Sequence, residues 1–469
     1  MNAWGIVNLM LFSFATSNGL LRLVADLINF DTFAFRCRKA QSLQQHGLDV
    51  IGRTINEIND TWEQSTAVGI TGKSEIDGTP SRVLCPPRDQ KVKAGDYIVF
   101  VSEVSMPKVR RSDRRSEVDE ETAALSRRSE EKLSSSQPPP STTLPSRALG
   151  QARAPSIKAI GNATVAATSM SFSAAKQQNI LICGWRRAWS KAGRPDVGAP
   201  LFNSVIDSIG MQVAPGSRIV FINRLDPAAC DKFMTEAGLA AEDGSEPKRW
   251  RKIGPCVNVL VEHVHGDACT RADLEPVIKS RNFNTCIVLG TTANVRMPRP
   301  SRDTRVLSIL LLLRDITDAV SADPSRPPMH IVAENEEDMT SILALAPRSG
   351  SKTPSLDFVN TQGIIARALS QALAYPHMQA ALLELFDSSE DSGNLVLRNA
   401  DRYLPMDAEE ISFDAVRRHV ASQTNGEELC LGYMDADGCY ELVPASRAKR
   451  QYVPGDRLAL ISLRGARGD

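Results

Sequence analysis

The feature that most constrains this chain is a repeat of its own sequence, far along its length. Gly5-Ile6-Val7 opens an apolar helical pattern that pauses near Asn18 and resumes over Leu20 to Phe30. Gly363-Ile364-Ile365 opens another, which pauses at Pro376 and resumes over Met378 to Phe386, so Gly5 to Gly363 is an offset of 358. Ala67-Val68-Gly69-Ile70 matches Cys430-Leu431-Gly432-Tyr433 at an offset of 363, and Val83-Leu84-Cys85-Pro86 matches Glu441-Leu442-Val443-Pro444 at 358. Gly95-Asp96-Tyr97-Ile98-Val99-Phe100-Val101 matches Gly455-Asp456-Arg457-Leu458-Ala459-Leu460-Ile461 at 360. Short apolar strings resemble one another by chance, but chance does not hold four landmarks in one register. Residues 1–105 and 363–469 therefore read as two copies of one unit: a crossover helix, then a small β-lobe closing on a strand after a Gly-Asp turn. A helix is expected inside each lobe, over Leu48 to Ile55 in the first and Phe413 to Val420 in the second.

Between the copies, residues 179–362 alternate strands with helices. The apolar run Asn179-Ile180-Leu181-Ile182-Cys183 stops at Gly184-Trp185, and a helical pattern follows over Leu201 to Met211. Further strands are expected at Arg218–Asn223, Val257–Val261, Thr285–Gly290, Met329–Ala333 and Leu356–Val359. Helices are expected around Leu274 to Ile278, from about Asp303 to Ile316, and over Asp338 to Leu345. Continuous apolar strands suit a parallel sheet covered on both faces. The alternation predicts an α/β, Rossmann-like doubly wound sheet, followed by the small α+β lobe. The second copy then has a complete Rossmann-like lobe before it and the first has none. The chain is thus expected to be one and a half units, trimmed or truncated at its front.

Residues 106–178 are rich in Ser, Ala, Thr and Pro, with Arg-Arg-Ser at 110–112 and 127–129. Such a composition buries too little apolar surface to offset chain entropy, and it reads as a disordered linker. The triplets could serve a kinase that recognises basic flanks, but a solvated linker is the reading preferred for them. With 55 Lys+Arg against 55 Asp+Glu the net charge is zero, which gives no footing for nucleic acid. The nine cysteines form no Cys-x-x-Cys pair or zinc spacing, as expected of thiols in a reducing compartment. The run Val306 to Leu313 falls short of the ~20 apolar residues of a spanning helix. Met1 to Ala15 reads as a helix rather than a signal peptide, because no basic residues precede it.

In a doubly wound lobe, ligands sit at the carboxyl ends of the strands. Those ends are Gly184, Asn223 and Asp267. The first turn lacks the second and third glycines of G-x-G-x-x-G, so Trp185 and Arg186 stand where a pyrophosphate would lie. Asn223 stands where an acidic residue would hold a ribose. Gly184, Trp185, Asn223 and Asp267 are the candidate pocket residues, with no dinucleotide expected in them. Asp267 also suits a turn that caps the next helix. Glu334, Glu336, Glu337 and Asp338 crowd one strand end, and Asp387, Glu390 and Asp391 one loop. Neither group has EF-hand spacing, so no metal site is assigned. His263 and His265 share one face of a strand, without a carboxylate or thiol placed beside them. No nucleophile motif or Ser-His-Asp arrangement is present, and the chain is not expected to be an enzyme.

A Rossmann lobe, a broken crossover helix and a small β-lobe closing on a Gly-Asp strand resemble an RCK (regulator of K⁺ conductance) unit. Ile180-Leu181-Ile182-Cys183-Gly184-Trp185-Arg186-Arg187 resembles the first strand and turn of the second RCK unit in CASTOR/POLLUX ion channels. Ala214-Pro215-Gly216-Ser217 resembles the loop before that unit's second strand, and Leu311 to Ile316 its fourth helix. Gly266-Asp267 resembles the Gly-Asp-Ala turn of RCK lobes. The resemblance covers about 1–105 and 179–469, more loosely in the first unit. It implies a tetrameric gating ring beneath a membrane pore absent from this chain, with Ca²⁺ as candidate ligand. It also implies a nuclear-envelope or plastid membrane setting. Two other classes fit the residues: a free-standing RCK subunit of a separate membrane transporter, and a nucleotide-dependent oxidoreductase.

Overall fold

The computed structural model describes residues 19–28, 33–72, 83–103, 106–109, 121–128, 177–185, 213–242, 248–253, 258–290, 298–320, 329–336, 356–385, 392–406, 410–445 and 448–463, with scattered residues over 202–210. The expected helices before Asn18 and over Asp338 to Leu345 lie outside these residues.

In the first lobe, helix α1 (Leu20–Leu27) buries Leu20, Leu21, Leu23, Val24 and Leu27. Strand β1 (Ala34–Lys39) runs into α2 (Ala40–Gln45). The helix expected over Leu48 to Ile55 is not formed. Gly47 and Gly52, both at φ 81°, turn the chain there, and Leu48 and Val50 are buried from a loop. The helix starts instead at α3 (Ile55–Thr61), where Thr54 and Glu57 close a reciprocal capping box. Strands β2 (Trp62–Glu63), β3 (Ser65–Thr71) and β4 (Tyr97–Ser102) follow, and the main sheet has the order β1-β4-β3.

The linker is not wholly open, which corrects the expectation for 106–178. Strand β5 (Lys108–Val109) pairs with β2, and residues 121–128 form a helix, α4. Leu125 of α4 is 3% exposed, inside the core of the second lobe. One apolar residue placed in a prepared groove anchors a segment whose average composition cannot fold alone.

The Rossmann-like lobe comprises β6 (Asn179–Cys183), β7 (Ser217–Asn223), α5 (Pro227–Glu236), β8 (Ala240–Ala241), β9 (Arg249–Ile253), β10 (Asn258–His265), α6 (Arg271–Ser280), β11 (Thr285–Val288), α7 (Arg299–Val320), β12 (His330–Asn335) and β13 (Leu356–Asn360). Its sheet has the order β13-β12-β11-β6-β7-β10-β9-β8. The six strands from β13 to β10 are parallel, with the order reversing at β6, as in the doubly wound fold. One face, with Leu181, Val220, Cys286 and Val288, packs beneath α6 and α7. The other, with Ile180, Ile182, Phe221 and Ile287, joins a core shared with both β-lobes. The antiparallel edge β9-β8 was not expected from the sequence. Of Arg249 to Ile253 only Trp250 is buried, so the strand carries almost no apolar signal. Of the helix expected over Leu201 to Met211, Phe202, Ile206 and Ile209 are helical and buried; its other described residues are Asp207 and Gly210.

The crossover region is α8 (Thr361–Ala374), a 3₁₀ turn (Pro376–Met378) and α9 (Gln379–Leu385). The second lobe adds β14 (Asn394–Asn399), β15 (Ile411–Ser412), α10 (Phe413–Gln423), β16 (Glu428–Met434), β17 (Tyr440–Leu442), β18 (Lys449–Arg450) and β19 (Arg457–Ser462). Its sheet order, β14-β19-β16-β17, repeats β1-β4-β3 in its first three strands, and β17 is matched in the first lobe by an isolated bridge between Gly69 and Leu84. The match extends to irregularities. Both sheets carry a bulge at the same place, Ala67/Gly69 and Cys430/Gly432. Cys85 and Val443 both take positive φ, at 46° and 43°. Thr54 and Ser412 cap equivalent helices, and Asp96 and Asp456 accept from Lys93 and Val453 in equivalent Gly-Asp turns. The duplication read from the sequence is a duplication of topology.

Gly69 and Gly432 lie at the bulges, where a Cβ would clash with the carbonyl oxygens of Val83 and Glu441. Those oxygens belong to backbone and cannot swing away. Gly432→Ala is expected to cost about 1–3 kcal/mol, read as a lowered urea midpoint at unchanged m-value.

Candidate functional site

The carboxyl edge of the parallel sheet collects the predicted pocket residues, but it does not treat them alike. Gly184, at φ 117°, ends β6 and donates its N–H to Ile222 O at 3.0 Å. Trp185 is fully buried rather than facing the turn. Its indole stacks on Phe202, with centroids 5.3 Å apart, and meets Phe221 and Phe233 edge-on. It is a core residue of the face shared with the β-lobes. The bulk that made it look like an obstacle to phosphate is used for packing.

Asn223 ends β7 and is 1% exposed. Its Oδ1 accepts from Leu225 N at 2.8 Å and lies 3.2 Å from His263 Nε2. Its Nδ2 has no hydrogen-bond partner among the described residues. Asp267, in the turn after β10, is drawn into an ionic knot. Its Oδ1 accepts from Cys269 N at 3.1 Å and pairs with Arg305 of α7 at 3.0 Å, while its Oδ2 pairs with Arg224 at 2.5 Å. Burial raises the Asp267 pKa, but the Cys269 N–H and the two guanidiniums outweigh it and hold the carboxyl below its usual range. Asp273, in the first turn of α6, accepts from the Asp267 N–H at 2.8 Å and from Thr270 Oγ1 at 2.9 Å, so the turn is tied to the helix by Asp273.

The described carboxylates at the end of β12, Glu334 and Glu336, are also engaged. Glu334 Oε2 accepts from Gly290 N at 3.3 Å, and Glu336 pairs with Arg302 at 2.6 Å. Glu337, Asp338, Asp387, Glu390 and Asp391 lie outside the described residues. Among the described residues no three His, Cys, Asp or Glu side chains are grouped to hold a metal ion. His263 and His265 do share a side, but each is tied to the loop after β7: His263 to Asn223, and His265 Nδ1 to Leu225 O at 2.9 Å. Among the described residues, Asn–His and Asp–Arg contacts at this edge couple β7, the end of β10 and α7.

A second constellation lies where the two β-lobes meet. Glu384 of α9 accepts from Val83 N and Leu84 N of the first lobe, at 2.9 and 2.7 Å. Asp26 of α1 accepts from Tyr440 Oη of the second lobe at 2.5 Å. Asp26 and Glu384 are equivalent positions in the repeat, as are the strand segments they reach. Each helix of one unit thus docks on the other unit's lobe. His377 stacks on Tyr97 with centroids 3.7 Å apart. Helices α3 and α10 face each other, with Arg418 paired to Asp60 at 2.6 Å and Arg417 Nη2 donating to Asn59 O at 2.5 Å. The sequence showed the repeat. It gave no sign of which carboxylate would cross, since a single acidic residue on a helix looks solvated.

No family model matches the chain, and no curated protein matches it. Among solved structures it is similar to the structure of the human SLO3 gating ring, at 13% identity and a TM-score of 0.48, over 98% of this chain and 74% of that one. Among the described residues no helix is long and apolar enough to cross a membrane.

Burial, reinforced by neighbouring His265, lowers the His263 pKa to about 4. The folded chain then binds fewer protons than the unfolded one between that value and about 6.5. Stability is present above this window and is lost as pH falls through it. His263→Gln is expected to remove up to about 3 kcal/mol of that loss, measured as the difference in unfolding free energy between pH 7 and pH 4.

Proposed function

We propose that this chain is the regulatory, ligand-sensing part of a cation channel of the CASTOR/POLLUX kind, working as a gating-ring segment on the soluble face of an organelle membrane. The observation that supports this reading most is the reciprocal docking of α1 and α9. Two homologous lobes held by exchanged helices form a rigid pair, and a Rossmann-like lobe is attached to it through the Pro376 turn. Such a construction converts a local event at the sheet edge into a change of angle between lobes, which is how rigid-body switches act. A pore supplied outside the residues described here would be opened by that movement. The function is transmission rather than turnover, in keeping with a sheet edge where Asp267 and Glu336 are paired to arginines and Glu334 and Asp273 accept from backbone N–H groups.

Ring assembly needs a surface for further copies. On α8, Ile364 is buried and Ile365, Ala368 and Ala372 are half-buried, whereas Leu369 and Leu373 are 59% and 82% exposed. These two leucines stand one turn apart on one side of the helix. The ligand proposed is Ca²⁺, and the readout is global shape rather than catalysis.

Two measurements test this. Light scattering of the purified chain is expected to give an oligomer, and Leu369→Asp to reduce its mass; an unchanged mass in the variant removes α8 from the interface. Ca²⁺ added during small-angle scattering is expected to change the dimensions of the particle. If Ca²⁺ leaves them unmoved while a nicotinamide dinucleotide binds, the oxidoreductase reading replaces this one.

A further inference from the structure

The linker segment 121–128 does more than connect the two units. Helix α4 is held on the second lobe by three kinds of contact. Leu125 is 3% exposed among Val396, Tyr403, Phe413, Val416 and Val420. Glu121 accepts from the hydroxyl of Ser412, the residue that caps α10, and pairs with Lys449 at 2.5 Å. Ser126 Oγ lies 3.1 Å from Thr122 O and 3.3 Å from His419 Nδ1 of α10. Upstream, β5 is paired to β2 of the first lobe. The linker is therefore fastened to one lobe at 108–109 and to the other at 121–128. It straps the two together beside the facing helices α3 and α10.

Ser126 is half-buried at the contact, in the last turn of α4, and is followed at once by Arg127 and Arg128, both exposed. We propose that Ser126 is a phosphorylation site and that its modification releases the strap from the second lobe. In the step, Ser126 Oγ bonds to the γ-phosphorus of ATP, the bond from that phosphorus to the β,γ-bridging oxygen breaks, and ADP leaves. The hydroxyl proton passes to the kinase's base. The product carries close to two negative charges. At a helix C-terminus, beside an apolar cluster, such a group opposes the helix dipole and must be desolvated. The hydroxyl that now reaches His419 would be replaced by a group too large for the same space. Because the site is half-covered, the kinase meets it in the undocked strap, and phosphate then prevents redocking. The inference rests on the docked helix alone and holds whether or not the chain serves a channel.

The test uses the full chain, Mg·ATP and a purified serine kinase selective for arginine-flanked sites. Phosphate is located by mass spectrometry, and docking is followed as the rate of tryptic cleavage after Arg127 and Arg128. Cleavage of a transiently opened segment tracks the population of the open form. Phosphorylated chain is expected to be cut at least about tenfold faster. Ser126→Ala is expected to keep the slow rate after the same treatment, even where other serines are labelled. Leu125→Asp, which frees the strap directly, is expected to be cut rapidly and phosphorylated at Ser126 faster than the native chain. No phosphate at Ser126 in either the native chain or Leu125→Asp overturns the proposal. So does phosphate at Ser126 with cleavage unchanged, or equal acceleration in Ser126→Ala.

Discussion

Glu384 accepts two backbone N–H groups from residues about three hundred positions away in the chain, Val83 and Leu84. Hydrogen bonds to a charged acceptor contribute about 1.5–3 kcal/mol each, more than neutral ones. Asp26 makes the matching reach to Tyr440. The two carboxylates fix how the lobes sit, because each belongs to a helix whose apolar side is already committed beneath the lobe it reaches. Leu20, Leu23 and Leu27 of α1 and Met378, Leu382 and Leu385 of the crossover region share one core with strands of both lobes and with the inner face of the Rossmann sheet. Removing either helix would open all three bodies at once. The exchange therefore makes the chain a single mechanical object despite its long linker.

The parts legible in the sequence are those where burial is two-sided or where backbone geometry leaves one residue type. The parallel strands were visible because both faces are covered. Gly69 and Gly432 were visible because each sits against a carbonyl oxygen of the neighbouring strand. The Gly-Asp turns were visible because Asp96 and Asp456 must accept a local N–H. Where one of these conditions fails, the reading fails with it. Leu48, Ile51 and Ile55 have helical spacing, yet Gly47 and Gly52 at φ 81° hold Leu48 to Ile51 in a loop. Strand β9 has one buried residue and four charged or exposed ones, so it pairs by register and not by pattern. Helix α4 has a single buried apolar side chain, and its docking depends on a groove formed by residues nearly three hundred positions later.

The candidate site shows the same division. Asn223 and Asp267 were placed correctly at strand ends by topology alone. The partners of Asp267 were not foreseeable, since Arg224 follows β7 while Arg305 comes from the first half of a helix three elements on. Trp185 was misjudged for a definite reason. A large side chain after a strand-ending glycine can lie in the turn or fold under the sheet, and only the presence of Phe202, Phe221 and Phe233 beneath decides between them. Residue type at a motif position says what cannot bind there; the opposite face says where the side chain goes.

The two lobes share a backbone but differ in what they bury. In the first, Ser65 Oγ and Ser102 Oγ lie 2.9 Å apart. At the equivalent positions of the second, Glu428 is wholly buried and is met by Ser462 Oγ at 2.9 Å, Arg398 Nε at 3.1 Å and Tyr403 Oη at 2.6 Å. Breaking a buried ion pair by displacing one partner costs about 3–5 kcal/mol, because the other charge is left without compensation. A distortion that sheared β16 against β14 or β19 would meet that cost, so the second lobe resists internal change more than the first. The 3₁₀ turn at Pro376 joins the bodies differently: a proline interrupts the helix ladder there, and the residue it buries, Met378, is apolar, so it holds by packing and not by a buried charge. The copies thus share a topology set by backbone geometry while differing in the groups they bury, because a strand pair specifies its register and not the polarity of what lies beneath it.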